Sequence, residues 1–390
     1  MFSFLGELPS SKSLVNRALI IKSYNSEVKV TFSTDSMDVQ VLQKALSAFR
    51  RGQTEFHCAD AGTSFRFLVL RLSRQPGRWI VKGSRRLLSR PHEALVQTLN
   101  AFGVDVEVSP EQWVIYSKGW QTQPLISVSA EQSSQFASSV LLNSWALPFD
   151  LELQLSEKQV SMGYLQMTLE LMKQFGFHYT PTTRGFRIPA EQTPKAMDYV
   201  SEQDVSSCFA LAACALQGGE VRLQNFPFES LQPDIVFLEI LKKMGARVQR
   251  EQGELRVSAT PRLEPVEVSL MNTPDLFPVL AVLCARAQGE SKLSDLLHLS
   301  VKESDRLQNT IHLLERLGRK TTLQGTTLLI EGESAPFEGH GIFDPDQDHR
   351  MAMAAQVANL YGTKFEILNP EVVEKSYPQF WQHLAGVASC

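Results

Sequence analysis

The chain has 390 residues, which is too long for one ordinary hydrophobic core and indicates two domains. Hydrophobic residues make up 43% of it and charged residues 21%, a balance typical of soluble globular proteins. The formal net charge of -4 argues against a nucleic-acid-binding protein, which normally carries an excess of Lys and Arg. Any anion site must therefore be a local cluster of cations.

The N-terminus and the cysteines both favour a cytoplasmic location. Residues 1–8 include an acidic residue and no basic one, so we expect no signal peptide. No apolar run approaches the roughly 18 residues of a membrane span, so we expect no membrane partner. The five cysteines contain no CxxC pair, which predicts buried, reduced thiols. They are Cys58, Cys208, Cys214, Cys284 and Cys390.

Amphipathic helical patterns recur along the chain, and each ends in an apolar residue close to a glycine. Gly just past a helix adopts a left-handed conformation that is costly for any residue with a Cβ, so these glycines predict helix ends. The stretches are 46–52 in a weaker form, 99–103, 172–176, 241–245 and 314–318. The last four precede β-like runs at 104–108, 177–179, 246–248 and 319–321. Their glycines recur roughly every 70 residues, which predicts a repeated α/β subdomain.

A second helix type lies between these patterns and is apolar nearly all round. Its members are 65–70, 136–142, 209–216, 277–284 and 351–358. A helix without a polar face must be covered on every side, so we predict core helices. Polar residues that can act as N-caps precede them, at 60–63, 133–134, 204–207, 273–275 and 348–350. Free N–H groups at converging helix N-termini would bind a polyanion.

The run 300–306 (SVKESDR) packs two cations and two carboxylates into five residues just before a helical pattern. Alone, it is typical of a solvated helix start with a capping carboxylate. The same mixture of Ser or Thr, cation and carboxylate occurs at several other helix starts. Because this mixture recurs at several helix starts, we expect these residues to have a functional role.

Nine short motifs, in order along nearly the whole chain, resemble those of the 5-enolpyruvylshikimate-3-phosphate synthase family. They are 11–19 (SKSLVNRAL), 61–66 (AGTSFR), 89–91 (SRP), 133–136 (SSQF), 204–207 (DVSS), 274–275 (PD), 301–306 (VKESDR), 348–353 (DHRMAM) and 375–378 (KSYP). Each string is weak alone, but nine in sequence at these spacings are very specific.

The resemblance implies an α/β fold of two domains, each an inverse α/β barrel built from three repeated α/β subdomains with buried helices. The first domain would be discontinuous, formed by 1–10 and 203–390, and the second would be formed by 11–202. The active site would lie in the interdomain cleft.

The implied reaction is transfer of the enolpyruvyl group of phosphoenolpyruvate to the 5-hydroxyl of shikimate 3-phosphate, with release of phosphate. It proceeds by addition followed by elimination and belongs to the shikimate pathway, which leads to chorismate and the aromatic amino acids. The resemblance implies no cofactor, no metal ion, no nucleic-acid partner and a monomer.

Both substrates carry phosphate and carboxylate groups, so the site needs several cations, and the fork of Arg suits both groups. By resemblance, shikimate 3-phosphate would be bound by Lys12, Ser13, Arg17, Ser133, Ser134, Gln135, Ser161 and Tyr164. Phosphoenolpyruvate would be bound by Gly62, Arg90, Gln135, Arg306, Arg350 and Lys375, with Lys12 touching both substrates. The remaining substrate-binding candidates are Asp275, His298, Lys302 and His349.

Two carboxylates are candidates for the proton transfers. Lys12 is a third catalytic candidate. Asp275 would orient or deprotonate the attacking hydroxyl, and Glu303 would deliver and remove the proton at the methylene carbon. Addition followed by elimination requires such an acid/base pair, but the sequence does not decide which carboxylate performs which step. Asp275 could instead cap a helix, His349 could be a core or capping histidine, and Tyr164 could serve packing alone.

The sequence departs from the family pattern at three places. Asp60 stands where the family usually has Asn, which would put a negative charge beside the phosphoenolpyruvate site. Alternatively, Asp60 could cap its helix at the Gly62-Thr63 turn or pair with a cation such as Arg66 or Arg90. His298 and Ser300 stand where it usually has Asn and Arg, and the usual Pro-Gly-Ser-Lys-Ser lacks its glycine at Ser10.

Two alternatives to an active synthase stay open. One is a related enolpyruvyl transferase with another acceptor, such as UDP-N-acetylglucosamine, but no cysteine stands where that family has its reactive loop residue. The other is a divergent paralogue that binds a ligand or partner without turnover. Retention of Arg90, Asp275, Glu303 and Lys375 favours the active synthase.

Overall fold

A computed structural model describes residues 2–123 and 125–386. The chain divides into two units. The first contains the N-terminal residues up to Pro9 together with the chain from Glu202 onward, and the second is Ser10–Ser201. Cys390 lies outside the described residues.

Strands and helices alternate along the whole described chain. The strands are β1 (Phe2–Gly6), β2 (Lys29–Thr31), β3 (Glu55–His57), β4 (Gly77–Lys82), β5 (Asp105–Val108), β6 (Gln112–Ser117), β7 (Ile126–Ala130), β8 (Leu151–Gln159), β9 (Thr180–Thr182), β10 (Gly185–Ile188), β11 (Asp198–Val200), β12 (Gly219–Leu223), β13 (Arg247–Glu251), β14 (Glu254–Ser258), β15 (Glu267–Ser269), β16 (Gly289–Ser294), β17 (Thr321–Gln324), β18 (Thr327–Gly332), β19 (His340–Phe343) and β20 (Lys364–Ile367). The helices are α1 (Lys12–Lys22), α2 (Met37–Arg50), α3 (Gly62–Ser73), α4 (Arg85–Leu88), α5 (Glu93–Ala101), α6 (Gln135–Leu142), α7 (Met162–Gln174), α8 (Val205–Ala215), α9 (Phe237–Lys243), α10 (Phe277–Arg286), α11 (Arg306–Arg316), α12 (His349–Leu360) and α13 (Phe380–Leu384). Short 3₁₀ turns cover Pro233–Val236, Pro274–Leu276, Leu297–Val301 and Pro370–Lys375.

The sheets of the two units follow one pattern. Each unit has two four-stranded sheets, in which a parallel pair is extended by an antiparallel hairpin, and one parallel two-stranded sheet. In the first unit the orders are β1-β12-β14-β13, β15-β16-β18-β17 and β19-β20. In the second they are β3-β4-β6-β5, β7-β8-β10-β9 and β11-β2. This confirms the predicted α/β repeat, with three copies in each unit.

The helices predicted to be apolar all round are buried, as expected. They correspond to α3, α6, α8, α10 and α12, and every residue of α8 is buried. In the first unit, α8, α10 and α12 lie in one hydrophobic core together with inward residues of its sheets. The core therefore fixes the N-terminal ends of these helices, from which several predicted site residues project.

The predicted helix-ending glycines also adopt the expected conformation. Gly52, Gly103, Gly176, Gly245 and Gly318 all have φ between +72° and +86°. A side chain with a Cβ is disfavoured there.

The predicted strand at 177–179 is wrong, because β9 begins only at Thr180. The side chain of Gln192 bonds both backbone groups of His178, accepting from its N–H at 2.6 Å and donating to its carbonyl at 3.0 Å. The amide side chain therefore replaces a neighbouring strand at this residue.

The described cysteines Cys58, Cys208, Cys214 and Cys284 are buried and unbridged, as predicted. Burial raises the pKa of the Cys58 and Cys284 thiols to about 12. Within 2–123 and 125–386, no helix has both the length and the apolar character needed to cross a bilayer.

Candidate active site

Three helix starts of the first unit place the predicted carboxylates and cations. A 3₁₀ turn carries Asp275 into α10, with Pro274 at its first position. Asp305 caps α11 by accepting the Gln308 N–H at 3.0 Å. Asp348 caps α12 by accepting the Arg350 N–H at 2.9 Å, which confirms the predicted cap.

Asp275 bridges two arginines that the sequence assigns to phosphoenolpyruvate. Its Oδ1 lies 2.6 Å from an Nη of Arg306, and its Oδ2 lies 3.2 Å from an Nη of Arg350. Both guanidinium groups are buried. The structure therefore favours ion pairing over the alternative of helix capping for Asp275.

The two arginines determine the protonation of Asp275. Burial alone would raise the pKa of this carboxyl, but Arg350 and Arg306 together hold it well below its usual range. Asp275 is therefore ionised at neutral pH and can accept a hydrogen bond from a hydroxyl. So low a pKa makes it a weak base in the absence of substrate.

Glu303 lies between two other predicted site residues. Its Oε2 is 2.8 Å from Nδ1 of His349 and 3.8 Å from Nζ of Lys375. Lys375 also donates to the Gln347 carbonyl at 3.1 Å, which fixes its ammonium group. His349 thus has a polar partner in the site and is not a core histidine alone.

Glu303, Asp348 and His349 bring possible metal-ligand atoms within 4.8 Å of one another. The same carboxylates are already bound by cations, however. Arg306 donates to Asp348 at 2.7 Å, and Lys375 lies beside Glu303. These ion pairs explain the cluster without a metal ion.

His298 lies in the 3₁₀ turn that precedes Lys302. Burial, with a contribution from Lys302, lowers its pKa to about 3, so the imidazole is neutral. Its Nε2 is buried and has no hydrogen-bond partner among the described residues. A neutral ring nitrogen here can replace one contact of the amide that the family usually has.

In the second unit, Lys12 and Arg17 project from α1. Nζ of Lys12 lies 3.1 Å from Oδ2 of Asp38, and both residues are buried. Arg17 donates to the Ser13 carbonyl at 2.9 Å and to the Thr168 hydroxyl at 2.7 Å. Burial lowers the pKa of Arg17 to about 10, so it still carries its charge at neutral pH.

Arg17 also connects α1 to α7, which begins beside two more predicted ligands. It donates to the Tyr164 carbonyl at 3.4 Å. Ser161 precedes α7 with φ of 55°, and its hydroxyl is buried with no hydrogen-bond partner among the described residues. The structure thus brings together Ser13, Arg17 and the start of α7.

A second cluster of the same unit surrounds the first residue of α3, Gly62. A Cβ there would lie 2.7 Å from an Nη of Arg90, so the guanidinium group lies directly over the helix start. Nε and one Nη of Arg90 are buried and lack a hydrogen-bond partner among the described residues. These donors and the helix N-terminus can bind an anion.

Gln135 is oriented beside this helix start. Its Oε1 accepts from Arg66 at 2.6 Å, and its Nε2 donates to the Thr63 hydroxyl at 3.1 Å. Ser133 accepts the Gln135 N–H at 3.2 Å, while Ser134 immediately precedes α6 without a side-chain cap bond.

Arg66 is one of four residues that contact the candidate site residues but were not themselves predicted as site residues from the sequence. It is buried beside Arg90, and neither guanidinium forms an ion pair among the described residues. Burial and Arg90 lower the pKa of Arg66 to about 9. Its position inside the motif at 61–66 was the available signal.

The other missed contributors are Asp38, Thr168 and, as an ion-pair partner, Asp348. Asp38 and Thr168 stand outside every quoted motif, so no local pattern marks them. Asp348 was predicted as a cap, but its pairing with Arg306 joins two helix starts and needs the fold to be seen.

Comparison with known proteins gives a consistent result. The model of the EPSP synthase (3-phosphoshikimate 1-carboxyvinyltransferase) family matches residues 26–384. A 3-phosphoshikimate 1-carboxyvinyltransferase of Syntrophobacter fumaroxidans is 34% identical over 403 residues, covering 96% of this chain and 95% of that protein. The fold is similar to that of EPSP synthase from Acinetobacter baumannii, with TM-score 0.77, 20% identity and coverage of 99% and 96%. It is also similar to the enolpyruvyl transferase NikO of Streptomyces tendae, with TM-score 0.76, 15% identity and coverage of 98% and 94%.

Proposed function

Because the chain belongs to the EPSP synthase family, it transfers the enolpyruvyl group of phosphoenolpyruvate to the 5-hydroxyl of shikimate 3-phosphate, and we propose that Asp275 and Glu303 carry the proton transfers. The reaction is a step of the shikimate pathway towards chorismate and the aromatic amino acids. The observation that carries the residue assignment is the pair of carboxylates, each held between two basic side chains.

The addition step forms a bond between the 5-oxygen and C2 of phosphoenolpyruvate while C3 gains a proton. Asp275 orients the hydroxyl and accepts its proton as the oxygen attacks. Glu303, in its protonated form, supplies the proton to C3, and His349 and Lys375 stabilise the carboxylate that remains.

The elimination step reverses the proton transfer at C3. Glu303 removes a proton from the methyl group, the C2–C3 double bond re-forms, and the bond between C2 and the phosphate oxygen breaks. Cations near the leaving phosphate stabilise its developing charge. Lys12 contributes one of these charges.

Binding of the substrates uses the residues assigned by resemblance. In the second unit, the Gly62 helix start, Arg90 and Gln135 provide donors for phosphoenolpyruvate. In the first unit, Arg306 and Arg350 provide two buried guanidinium groups for the same substrate.

The remaining substrate-binding candidates belong to the same proposal. Those for shikimate 3-phosphate are Lys12, Ser13, Arg17, Ser133, Ser134, Gln135, Ser161 and Tyr164, and those assigned to substrate binding in general are Asp275, His298, Lys302 and His349. We further propose that the protein acts in the cytoplasm as a monomer. The buried unbridged thiols support a reducing compartment, and sedimentation at several concentrations tests the monomer.

Alanine substitution of each carboxylate tests the assignment. We expect Asp275→Ala and Glu303→Ala to lower kcat by roughly 10²-fold or more, the usual scale of acid/base catalysis, while shikimate 3-phosphate still binds. Steady-state kinetics and calorimetry measure the two effects. Glu315→Ala, which removes an exposed carboxylate from α11, is the matched control. Near-normal turnover in either site variant would show that its carboxylate is structural.

A further inference from the structure

The turn that carries Arg90 is held by a continuous set of hydrogen bonds outside the predicted site. The Ser84 hydroxyl donates to Oδ1 of Asp60. The Ser84 hydroxyl oxygen also accepts the Leu87 N–H at 3.0 Å, which caps α4. The Leu87 carbonyl in turn contacts Nε2 of His92 at 2.9 Å. We call this set the Asp60–His92 chain.

The direction of each bond in the Asp60–His92 chain follows from the groups involved. An ionised carboxylate only accepts, so Ser84 must donate to Asp60 and keep a lone pair for Leu87. A carbonyl also only accepts, so Nε2 of His92 must carry the hydrogen. An amide at position 60 would lack this constraint, because it can rotate and present a donor instead.

His92, at one end of the Asp60–His92 chain, is neutral and firmly packed. Its ring lies between Phe65 and Trp113, with centroids 5.0 Å and 5.5 Å away. Burial, reinforced by Arg66 and Arg90, lowers its pKa to about 3. The imidazole therefore keeps one donor for the Leu87 carbonyl throughout the physiological pH range.

The Asp60–His92 chain connects the start of α3 to the residue that lies over it. The Ser84 N–H donates to the Ala59 carbonyl at 2.8 Å, so the segments before α3 and before α4 are joined. The Arg90 N–H returns to the Leu87 carbonyl at 3.3 Å. From there the Arg90 side chain reaches back over Gly62.

We propose that Asp60, Ser84 and His92 are positioning residues that hold Arg90 over the N-terminus of α3 for the anionic group of phosphoenolpyruvate. The inference rests on the role proposed for Arg90. The proposal gives Asp60 a function, because its carboxylate accepts the hydrogen bond of the Ser84 hydroxyl and thereby makes the turn before α4 rigid.

Two substitutions, Ser84→Ala and Asp60→Ala, break the Asp60–His92 chain. Asp60→Asn is the conservative variant and Ser89→Ala is the control. We expect Ser84→Ala and Asp60→Ala to raise KM for phosphoenolpyruvate about fivefold each, the factor for one net hydrogen bond. KM for shikimate 3-phosphate and kcat should change less than about twofold. Asp60→Asn keeps an acceptor and should raise KM less than Asp60→Ala. Ser89→Ala, which removes an exposed hydroxyl bonded to the Arg86 carbonyl, should match the wild type.

Amide hydrogen exchange gives a second readout that does not depend on turnover. We expect Ser84→Ala to accelerate exchange in residues 84–92 while α2 keeps its protection. If wild-type protein turns over but neither chain-breaking variant changes KM for phosphoenolpyruvate, the positioning role is wrong. Equal increases in both KM values would also overturn it, since they indicate a general loss of structure. If the wild-type protein showed no turnover, the proposed role of the site would be refuted instead. If Ser84→Ala left hydrogen exchange in residues 84–92 unchanged, the proposed ordering of this turn would be refuted.

Discussion

Among the single residues, Asp275 is paired with two arginines that are proposed to bind the substrate. It holds Arg306 at 2.6 Å and Arg350 at 3.2 Å, and these groups are proposed to bind phosphoenolpyruvate. An incoming anion must therefore share or displace this carboxylate. Displacement would leave Asp275 free to accept the hydroxyl of shikimate 3-phosphate, which links substrate binding to activation of the nucleophile.

This competition predicts opposite effects of one substitution on binding and on catalysis. Asp275→Asn should tighten binding of phosphoenolpyruvate several-fold, because the anion no longer competes with a carboxylate for Arg306 and Arg350. It should also lower kcat by roughly 10²-fold. Calorimetric titration without the second substrate measures the first effect. Asp305→Asn, which removes a nearby charge but retains a capping side chain, is the control. Weaker binding in Asp275→Asn would contradict the competition.

The sequence predicted the charged candidates for the site but not their pairings. The motifs contained Asp275, Arg306 and Arg350, yet the bridge between them joins residues up to 75 positions apart. Asp60 shows the same limit. Its identity suggested a repulsive charge near the substrate, whereas the structure shows a hydrogen bond from Ser84, whose position no local pattern revealed.

At the scale of elements, the start of α3 has no space for a side chain at Gly62. A Cβ would meet only the terminal atoms of Arg90 closely, at 2.7 Å, and a flexible side chain can move away. Gly62→Ala should therefore fold normally but displace the guanidinium group. We expect KM for phosphoenolpyruvate to rise about tenfold or more, the value of a charge-assisted hydrogen bond.

Thermal unfolding and steady-state kinetics separate these two effects of Gly62→Ala. The control is Gly218→Ala, where a Cβ meets no atom within 4 Å. A normal KM in Gly62→Ala would mean that Arg90 binds substrate from a different position, and a large loss of thermal stability would mean that the helix start cannot adjust.

Elements with a strong local pattern were predictable from the sequence. The apolar helices α8 and α12 and the left-handed glycines after α7 and α11 follow from composition and the requirements of backbone geometry. The strand predicted at 177–179 failed because the competing hydrogen bonds come from Gln192, fourteen positions away, and no local signal marks them.

At the scale of the whole molecule, the repeated subdomain could be read from glycine spacing, but strand pairing could not. The pair formed by β1 and β12 joins residues more than 200 positions apart, and the pair formed by β2 and β11 spans nearly 170. Pairings between strands so far apart in the sequence depend on the packing of the whole fold and not on a local pattern. Only their regular repetition was visible in the sequence.

This protein transfers an enolpyruvyl group by addition and elimination, with the 5-hydroxyl of shikimate 3-phosphate as nucleophile. The most direct test measures phosphate release from phosphoenolpyruvate by purified protein with shikimate 3-phosphate, without it, and with an analogue that lacks the 5-hydroxyl. We predict stoichiometric release of phosphate and formation of the enolpyruvyl ether only with the complete acceptor. Release that is independent of the acceptor, or no release with both substrates present, would contradict it.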